Sequence, residues 1–562
     1  MRHPDLASRP IGVASLLRAV PDAMVDAAVG QFGEASVISS QFKFVAAAAA
    51  LLFGLGAAAP ADAQQPKHGG TLRFVMKYEP PTLSVLNNTS TTTTSPKIWD
   101  GLLSYDADLN PLPMLATAWK ISPDGLEYTF TLREGVTFHD GKPFSSADVA
   151  FSILRLKAGH PRGRGTFANV TEVKTPDAKT AVVVLSKPSP YMLVALGASE
   201  SAIVPKHLFE GVDVAAPPGP PLHIGTGPFV LKEWVRGSHA VLERNPNYWD
   251  KPKPYLDRVI IRFMPDAAAR AAAFEAGDLD LGGSAPVPLA DLERYKNHPK
   301  LAVDTRSFAY TGAQHQIFFN LDTPVLKNKK VREAIAHALD LDAIVETVFY
   351  GQAKVSPSPV SVALTPWYDP AVKARKFDPE LANKLLDEAG QPRAAGGMRF
   401  PVRLLINPFI DGRLAEFVRQ SLRRVGIDAT IQNLEFGAYV KNVYTDRTFD
   451  LTIESLTNVF DPTVGVQRGY WSKNFKPGLP FSNSAHYENA EVDRLLEAAA
   501  VEVDPAKRKQ MFSQFQRIVH EDVPSVDMIS PLEIIIANKK LRNYARGAEG
   551  LGDNFADAHF VD

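Results

Sequence analysis

The sequence predicts an α/β fold, because short strand patterns alternate along it with helices that have clear start and stop residues. The strongest indication is the stretch 400–434, where 400–406 has a strand pattern, a helix runs to Val425, and a second strand follows at 429–431. Such a βαβ unit makes a right-handed crossover and a parallel sheet.

Two strands are predicted early in the chain. Residues 70–76 form an apolar run after two glycines, and residues 126–132 alternate with the period of two expected of a half-buried strand. The segment 105–220 is rich in turn residues, and its proline-rich end at 217–221 is predicted to be a loop or a seam between subdomains.

Helix boundaries are clearer after Arg258. A strand is predicted at 258–264 and an alanine-rich helix at 267–276 that stops at Gly277. Asp378 and Pro379 start another helix, which ends at Gly390. A late helix carries an apolar stripe formed by Met511, Phe515, Ile518 and Val519.

Composition excludes several classes of protein. The chain has 562 residues, 45% of them hydrophobic, with 61 Lys and Arg against 62 Asp and Glu, and no cysteine. This length allows two to four domains. The charge balance gives no basis for nucleic-acid binding, and the lack of cysteine excludes disulfides, thiol catalysis, iron–sulfur clusters and a lipid anchor on an N-terminal cysteine.

The first 63 residues are predicted to be a targeting segment. An apolar run follows Lys43, Pro60 interrupts it, and residues 61–63 (Ala-Asp-Ala) supply the small-x-small pattern that signal peptidase cleaves. The run of about 16 residues is shorter than the ~20 that span a bilayer. The mature chain is therefore expected to be a soluble protein of a bacterial periplasm, secreted through a cleavable signal peptide.

No motif indicates catalysis. The phosphate-loop pattern near Gly141 and Lys142 fails, because Pro143 stands where a Ser or Thr must bind Mg²⁺. The 13 histidines are scattered without metal-ligand spacing, and no nucleophile elbow occurs. We therefore expect no enzyme activity, no cofactor and no metal, although a pair of distant carboxylates could still serve a glycosidase.

A dense series of motifs then resembles the extracellular solute-binding proteins of the peptide/nickel/opine type, from about Gly69 to about Tyr544. The motifs, in chain order, are Trp99-Asp100-Gly101-Leu102-Leu103, Pro111-Leu112-Pro113, Phe138-His139-Asp140-Gly141, Gly225-Thr226-Gly227-Pro228-Phe229, Asn245-Pro246-Asn247-Tyr248-Trp249, Glu275-Ala276-Gly277-Asp278, Val331-Arg332-Glu333-Ala334-Ile335 and Tyr487-Glu488-Asn489.

The resemblance implies a two-lobed periplasmic-binding-protein fold. Lobe one would hold residues 64–315, with an inserted subdomain at about 105–220, and lobe two residues 316–520. The segment 521–562 would return to lobe one. The implied function is capture of a solute by lobe closure and delivery to an inner-membrane ABC permease with a separate ATPase, the receptor itself being a monomer.

Ligand-contacting residues are also implied by the resemblance. Glu79 aligns with a cleft-facing acid of peptide binders, and Arg413 with a basic position near which dipeptide binders hold a carboxylate. The alternative interpretation of Glu79 is a solvated loop acid, and that of Arg413 is a surface residue in the first turn of a helix. His315 is a weaker candidate, expected just before a strand that ends at Asn320.

The sequence departs from peptide-binding relatives at Asn458. Those relatives commonly carry an aspartate there, which receives the α-ammonium of the peptide, and a neutral amide supplies no full countercharge. Phe436, Tyr470 and Trp471 are predicted to offer stacking surface for a sugar, an aromatic group or a chelate, with core packing as the alternative.

The ligand is therefore left open among a peptide, an opine, a sugar and a metal chelate. The alternative from another class is a secreted α/β hydrolase acting on peptides or glycans. A receptor that signals instead of transporting would have the same sequence features.

Overall fold

Three β-sheets carry most of the strands in the computed structural model, which describes residues 66–87, 91–213, 222–310 and 312–562. The predicted signal segment 1–63 and the proline-rich stretch 217–221 lie outside the described residues. Residues Pro66–Asp562 form one compact unit. In the described part of the chain, no helix is both long and apolar enough to cross a membrane.

The strands, in chain order, are β1 Thr71–Met76, β2 Leu103–Tyr105, β3 Pro111–Pro113, β4 Ala116–Ile121, β5 Glu127–Leu132, β6 Val170–Asp177, β7 Thr180–Leu185, β8 Phe229–Val235, β9 His239–Arg244, β10 Arg258–Phe263, β11 Leu281–Gly282, β12 Leu301–Arg306, β13 Ala313–Phe319, β14 Ala353–Val355, β15 Phe400–Ile406, β16 Ile427–Gln432, β17 Leu451–Thr457, β18 Ser525–Pro531, β19 Glu533–Asn538, β20 Leu541–Arg542 and β21 His559–Phe560.

The longer helices are α1 Ser146–Gly159, α2 Ala267–Ala276, α3 Lys329–His337, α4 Pro379–Glu388, α5 Gly412–Arg424, α6 Ala490–Ala499 and α7 Pro505–Asp522. Short α-helical turns occur at Ser95–Ile98, Gly163–Thr166, Lys206–Phe209, Leu292–Lys296, Pro324–Lys327, Leu341–Ala343, Phe436–Val440 and Pro462–Gly465. Short 3₁₀ or π turns occur at Val85–Asn87, Pro190–Ala195, Leu289–Asp291, Ile344–Val348, Lys441–Thr445, Gln467–Gly469, Ser472–Asn474 and Gly550–Gly552.

The seven-stranded sheet has the order β12-β19-β11-β1-β10-β9-β8. Its central strand β1 runs parallel to both β10 and β11, and α2 connects those two strands. The side chain of Asp266 caps the start of α2. Gly277 ends the helix in the left-handed conformation, as the sequence predicts.

The six-stranded sheet has the order β14-β18-β13-β17-β15-β16. The predicted βαβ unit is confirmed, since β15 pairs in parallel with β16 across α5. The predicted start of α4 is confirmed as well, because the Asp378 side chain accepts from the backbone N–H of Leu381 and Pro379 opens the helix.

Between the described strands, two segments lead from one large sheet to the other. Residues 307–312 lead from β12 to β13, and Leu532 alone separates β18 from β19. The late chain thus contributes one strand to each sheet, which gives the two-lobed α/β architecture that the sequence predicts. The lobe limits 64–315, 316–520 and 521–562 stay a prediction.

A separate four-stranded sheet, β4-β5-β7-β6, lies within the predicted insertion 105–220. Helix α1 packs on its strands β6 and β7. The first turn of α1 is held by a capping box in which the Ser145 and Asp148 side chains each accept from the backbone N–H of the other.

Several motifs from the sequence meet around Asp100, which is fully buried. Its carboxylate accepts hydrogen bonds from the Thr226 hydroxyl at 3.1 Å and from the Trp249 indole N–H at 2.9 Å. Burial raises the pKa of Asp100 to about 6. At Gly225 a Cβ would lie 2.1 Å from the carbonyl oxygen of Ile98, so a glycine is needed there. These motifs therefore build the fold rather than a ligand site.

Candidate functional site

A cavity of about 400 Å³ lies at the carboxyl ends of strands from both large sheets. Parallel strands end at a common edge, and such an edge is where open α/β sheets bind ligands. The lining residues are Phe74, Val75, Met76, Lys77, Tyr78, Glu79, Pro80, Thr92, Thr93, Arg162, Ser199, Glu200, Gly283, Ser284, Phe308, Tyr310, Thr457, Val459, Glu533, Glu549, Leu551 and Gly552. We call this space the cleft cavity.

Glu79, predicted as a ligand contact, lies in the wall of the cleft cavity directly after β1. Its carboxylate accepts from the indole N–H of Trp234 and the backbone N–H of Gly237, each at 2.8 Å, and pairs with Arg236 at 3.2 Å. These contacts fix the carboxylate on the β8–β9 hairpin.

Buried, hydrogen-bonded polar side chains line the cleft cavity on the side of the four-stranded sheet. The Arg162 guanidinium donates to Glu200, with Nε 2.8 Å from Oε2, and both side chains are largely buried. The neighbouring Ser199 hydroxyl donates to Glu549. Residues 350 positions apart in the chain are thus joined in one network.

Glu533 lies at the start of β19 and accepts from Ser284, whose backbone nitrogen is 2.5 Å from Oε1. Ser284 has a left-handed φ of 54°. At Gly283 an added Cβ would lie 2.2 Å from the Leu551 side chain and 2.7 Å from Glu533, so glycine alone permits this close approach.

Burial raises the pKa values of two of the four glutamates that line the cavity, to about 7 for Glu533 and to about 8 for Glu549. For Glu549 the nearby Asp553 raises the pKa further, while the Ser199 hydroxyl and Lys97 lower it. Within the described residues, neither carboxyl has a basic side chain at ion-pair distance.

Aromatic rings form the mouth of the cleft. Tyr78, which follows β1, is 6.2 Å from Phe409, which follows β15, and the two rings are nearly perpendicular. Phe409 contacts Phe436 at 5.0 Å, and Phe436 stacks on Phe481 at 6.3 Å. The predicted stacking residue Phe436 is therefore exposed and part of a row of rings that joins the two sheets.

Arg413 is on the first turn of α5 and does not line the cleft cavity. Its guanidinium pairs with Asp411 at 2.6 Å and donates to the Tyr350 hydroxyl at 3.1 Å. Asp411 is near the row of rings, because it follows Phe409 by two residues in the chain. The structure thus places Arg413 outside the cavity, near its mouth.

Asn458 is fully buried between two lining residues, Thr457 and Val459. Its side-chain oxygen accepts from the backbone N–H of Ser361, and its amide donates to the Leu456 carbonyl at 3.4 Å. The side chain therefore holds neighbouring loops together in this conformation and does not line the cavity.

The remaining predicted residues lie in other surroundings. Tyr470 is fully buried against Phe318 and Phe515, with its hydroxyl 3.0 Å from Ser525. Trp471 donates its indole N–H to Glu497 at 2.9 Å. Core packing, the alternative interpretation, matches the surroundings of Tyr470.

His315 lies within β13, not just before the strand as expected. The ring is buried near Phe349, and its Nδ1 has no hydrogen-bond partner among the described residues. Burial lowers its pKa to about 4. Neither this histidine nor any other described residue belongs to a group of three or more side chains that could hold a metal ion.

Sequence reasoning missed Arg162, Glu533, Glu549 and Tyr310. Each belongs to a different segment of the chain, and none carries a local motif. Only Glu533 begins a strand. Arg162 and Glu549 each precede a short helical turn, and Tyr310 lies between β12 and β13, so no sequence pattern points to all four.

Comparison with known proteins identifies the family. Residues 110–477 match the middle region of the bacterial extracellular solute-binding proteins, family 5. A Brucella ovis protein named as an ABC transporter peptide-binding protein is 29% identical over 463 residues, which cover 79% of this chain and 84% of that protein.

Two solved structures share the whole fold. NikA from Brucella suis, in complex with Fe(III)-EDTA, has a TM-score of 0.78 and 25% identity and covers 88% of this chain and 100% of its own. The oligopeptide-binding protein AppA from Bacillus subtilis, in complex with a nonapeptide, has a TM-score of 0.75 and 26% identity and covers 89% of this chain and 100% of its own.

Members of this family are periplasmic binding proteins of ABC transporters rather than enzymes. The match covers well over half of the chain, and the cleft cavity lies between the two sheets, where such a receptor would bind its solute. The chain belongs to the bacterial extracellular solute-binding proteins, family 5, and is a solute-binding receptor of the kind that serves ABC-type importers.

Proposed function

We propose that this receptor binds a small polar solute in the cleft cavity and presents the closed form to an inner-membrane ABC permease driven by a separate ATPase. The observation that carries the proposal is the cavity itself, whose wall contains residues that follow β1 together with Thr457 at the end of β17 and Val459 just after it. A solute held there would contact both sheets and would stabilise the closed arrangement.

Closure of the two lobes would be a hinge motion about the connections at 307–312 and Leu532. A hinge motion needs only a few residues at element ends to change their backbone angles, and both connections are of that kind. The proposed lobes are 64–315 and 316–520, with 521–562 returning to the first. In this proposal the receptor is a periplasmic monomer released by cleavage near residue 63, and it performs no chemistry on its ligand.

The size and lining of the cavity favour a compact ligand. About 400 Å³ is near the lower end of the ~300–1,000 Å³ of ordinary ligand pockets. Relatives are named for peptides, and solved neighbours hold a nonapeptide or an iron chelate. A ligand of dipeptide size fits the present cavity better than a nonapeptide does.

Glu79, Phe436 and Arg413 remain proposed contacts of different kinds. Glu79 would act from the wall, whereas Phe436 and Arg413 would act only at the mouth. For Asn458, Tyr470, Trp471 and His315, direct contact would require a conformation in which their present neighbours move away.

The test is a thermal-shift panel on ligand-stripped protein, with dipeptides, oligopeptides, opines, oligosaccharides and nickel chelates as probes. A probe at ~100 times its Kd stabilises a protein by about 2.7 kcal/mol, which is visible as a melting shift. The chemical class of the probes that raise the melting temperature identifies the class of the ligand.

A variant then locates the site. Thr93→Trp places a large ring in the cavity wall, and Thr180→Trp, at the start of β7 and outside the cavity, is the matched control. We expect Thr93→Trp to abolish the shift and Thr180→Trp to retain it. A Thr93→Trp protein that binds as tightly as the parent would refute the cleft cavity as the binding site.

A further inference from the structure

We propose that a surface groove on the seven-stranded sheet, separate from the cleft cavity, is a second binding site and takes a phosphate-bearing anion. The groove has a volume of about 400 Å³ and lies where β12 and β19 meet the segment 539–546. We call it the basic groove. None of the described residues that line it also lines the cleft cavity, so this inference goes beyond the proposed function and does not depend on it.

The first argument is the charge of the lining. Among the described residues, the lining of the basic groove has no acidic side chain and four basic ones, Arg306, Lys539, Arg542 and Arg546. The segment 539–546 alone has four basic residues in eight positions and no acidic one. The whole chain, in contrast, balances 61 Lys and Arg with 62 Asp and Glu. The groove is therefore a local concentration of positive charge on a protein that is close to neutral.

Two of the four basic side chains in the lining are neutralised by carboxylates beside the groove. Arg306 donates to Asp304, and Arg546 pairs with Asp557 at 3.1 Å. The other two, both in the segment 539–546, have no carboxylate within 4.0 Å among the described residues. Four basic groups less two carboxylates leave two positive charges. A phosphate monoester carries a charge of about −1.5 to −2 at pH 7, so one such group balances the groove.

The second argument is that Lys539 and Arg542 have unused hydrogen-bond donors. The Arg542 guanidinium donates only through Nη1, to the carbonyl oxygens of Lys539 at 2.5 Å and Leu541 at 3.1 Å. Its Nε and Nη2, and the ammonium group of Lys539, have no acceptor among the described residues. Because Nη1 is held by the backbone, the guanidinium has a fixed position from which Nε and Nη2 can bind two oxygens of one oxyanion.

The backbone around the basic groove is held in place and leaves room for a ligand. Ala302 on β12 and Ala537 on β19 lie directly opposite each other in the sheet, and both line the groove. Their short side chains take up little of the space. The basic segment is anchored at its start, where the Lys539 N–H donates to the Lys300 carbonyl at 2.8 Å, and again where β20 pairs with β21. The positive charges are thus carried by a fixed scaffold.

A phosphate group supplies what the basic groove lacks. Its oxygens accept hydrogen bonds from guanidinium and ammonium donors, and its negative charge removes the repulsion among like charges that are held close together. A volume of about 400 Å³ is that of an ordinary ligand pocket and exceeds a single phosphate, so we infer that the phosphate is attached to a larger body. That body is either a free phosphorylated compound or a phospholipid, and the two sources are distinguished below.

The experiment measures the binding of two probes to ligand-stripped receptor. Inorganic pyrophosphate is titrated by calorimetry at low ionic strength. Phosphatidylcholine vesicles, with and without phosphatidylglycerol, are tested by co-sedimentation. We expect pyrophosphate, the phosphatidylglycerol vesicles or both to bind, and the binding to weaken as salt is added, because exposed charges are screened over ~8 Å at 0.15 M ionic strength.

Variants locate the binding in the basic groove. The double variant Lys539→Gln/Arg542→Gln should weaken binding by about 10- to 100-fold, as the loss of hydrogen bonds to a charged group implies. The matched control Lys507→Gln/Lys509→Gln removes the same charge from exposed positions of α7, outside the groove, and should bind like the parent. Lys539→Gln alone, whose side chain has no partner to lose, should fold normally and weaken binding about fivefold.

The pattern of binding identifies the source of the phosphate. Binding of pyrophosphate alone, lost in Lys539→Gln/Arg542→Gln, means a free phosphorylated compound, and the same loss with phosphatidylglycerol vesicles means a lipid head group. Binding of neither probe overturns the basic groove as a site, and so does an equal loss in both double variants. Thr93→Trp should leave the binding of pyrophosphate intact, because that residue lines the cleft cavity. If Thr93→Trp abolishes it, the anion binds in the cleft and this inference is wrong, whereas the proposed function stands.

Discussion

The two sides of the cleft cavity differ in how their buried carboxylates are paired. All the charged lining residues come from outside the six-stranded sheet, which contributes only Thr457 and Val459. Just behind those two residues, Asp461 is nearly inaccessible and pairs with Arg508 at 2.6 Å. On the opposite wall, Glu533 and Glu549 have no such partner among the described residues.

This contrast separates charges that are paired within the fold from carboxyls that have no ion pair among the described residues. Asp461 accepts two hydrogen bonds from Arg508 and also caps the turn Pro462–Gly465. Glu454, in the middle of β17, is likewise surrounded by the donors Tyr439, Tyr444 and Asn407. Since these groups are satisfied internally, their removal should cost stability and not specificity. The reverse should hold for Glu549.

The largest expected effect is that of Asp461→Ala. Removing the carboxylate leaves the buried Arg508 guanidinium unpaired, which costs about 3–5 kcal/mol in comparable cases. Urea unfolding should show this loss, while folded protein should bind its solute with unchanged affinity. Glu127→Ala is the control, because its ion pair with Lys174 is exposed and is worth about 0–1 kcal/mol. A stable Asp461→Ala protein that had lost solute binding would reverse the assignment of the two sides.

For Glu549→Gln we expect a smaller change in the stability of the ligand-free protein, and one of opposite sign, a gain. The folded-state pKa of about 8 lies above the ordinary value of 4.5, so the folded chain keeps a proton that the unfolded chain releases. Stability should therefore fall as pH rises from about 4.5 to about 8, and glutamine avoids that loss. At pH 8.5 the variant should be about 1–3 kcal/mol more stable than the parent, and at pH 4.5 the two should be equal.

Thermal unfolding at both pH values checks this, with Glu172→Gln as the surface control. A Glu549→Gln protein that is less stable than the parent at pH 8.5 would mean that the ionised carboxylate supports the fold. The difference between the two sides of the cavity would then disappear.

The sequence predicts a structural feature best when the residues that determine it are close together in the chain. The limits of α2 and of β15 follow from neighbouring residues, such as the Asp266 cap and the alternation of apolar side chains, and the structure confirms them. The two-lobed architecture is implied by the family resemblance that the motifs carry. Asp100 shows why those motifs say little about the ligand, since its carboxylate accepts hydrogen bonds from Thr226 and Trp249, which belong to other motifs.

The site is less predictable because its parts are distant in the chain. Glu79 lies in the cavity wall, three residues after β1, whereas Glu549 is held there by a hydrogen bond to a residue 350 positions earlier. No periodicity or spacing relates such residues. Tyr470 illustrates the converse, because an aromatic residue suited to stacking is equally suited to a core, and only its burial decides between them.

The smallest expected effect concerns the row of rings at the mouth, where the two sides meet. Phe409 is 61% exposed and touches Tyr78 across the cleft, so its ring adds little to the core but contributes to the closed arrangement. Aromatic pairs of this geometry are worth about 0.5–1.5 kcal/mol. Phe409→Ala should therefore weaken solute binding by about 2- to 10-fold and leave urea unfolding unchanged. Titration calorimetry with the best probe of the panel measures this, with Leu154→Ala on the exposed face of α1 as the control. Unchanged affinity would show that closure depends on the buried wall alone, which would sharpen the contrast between the two sides further.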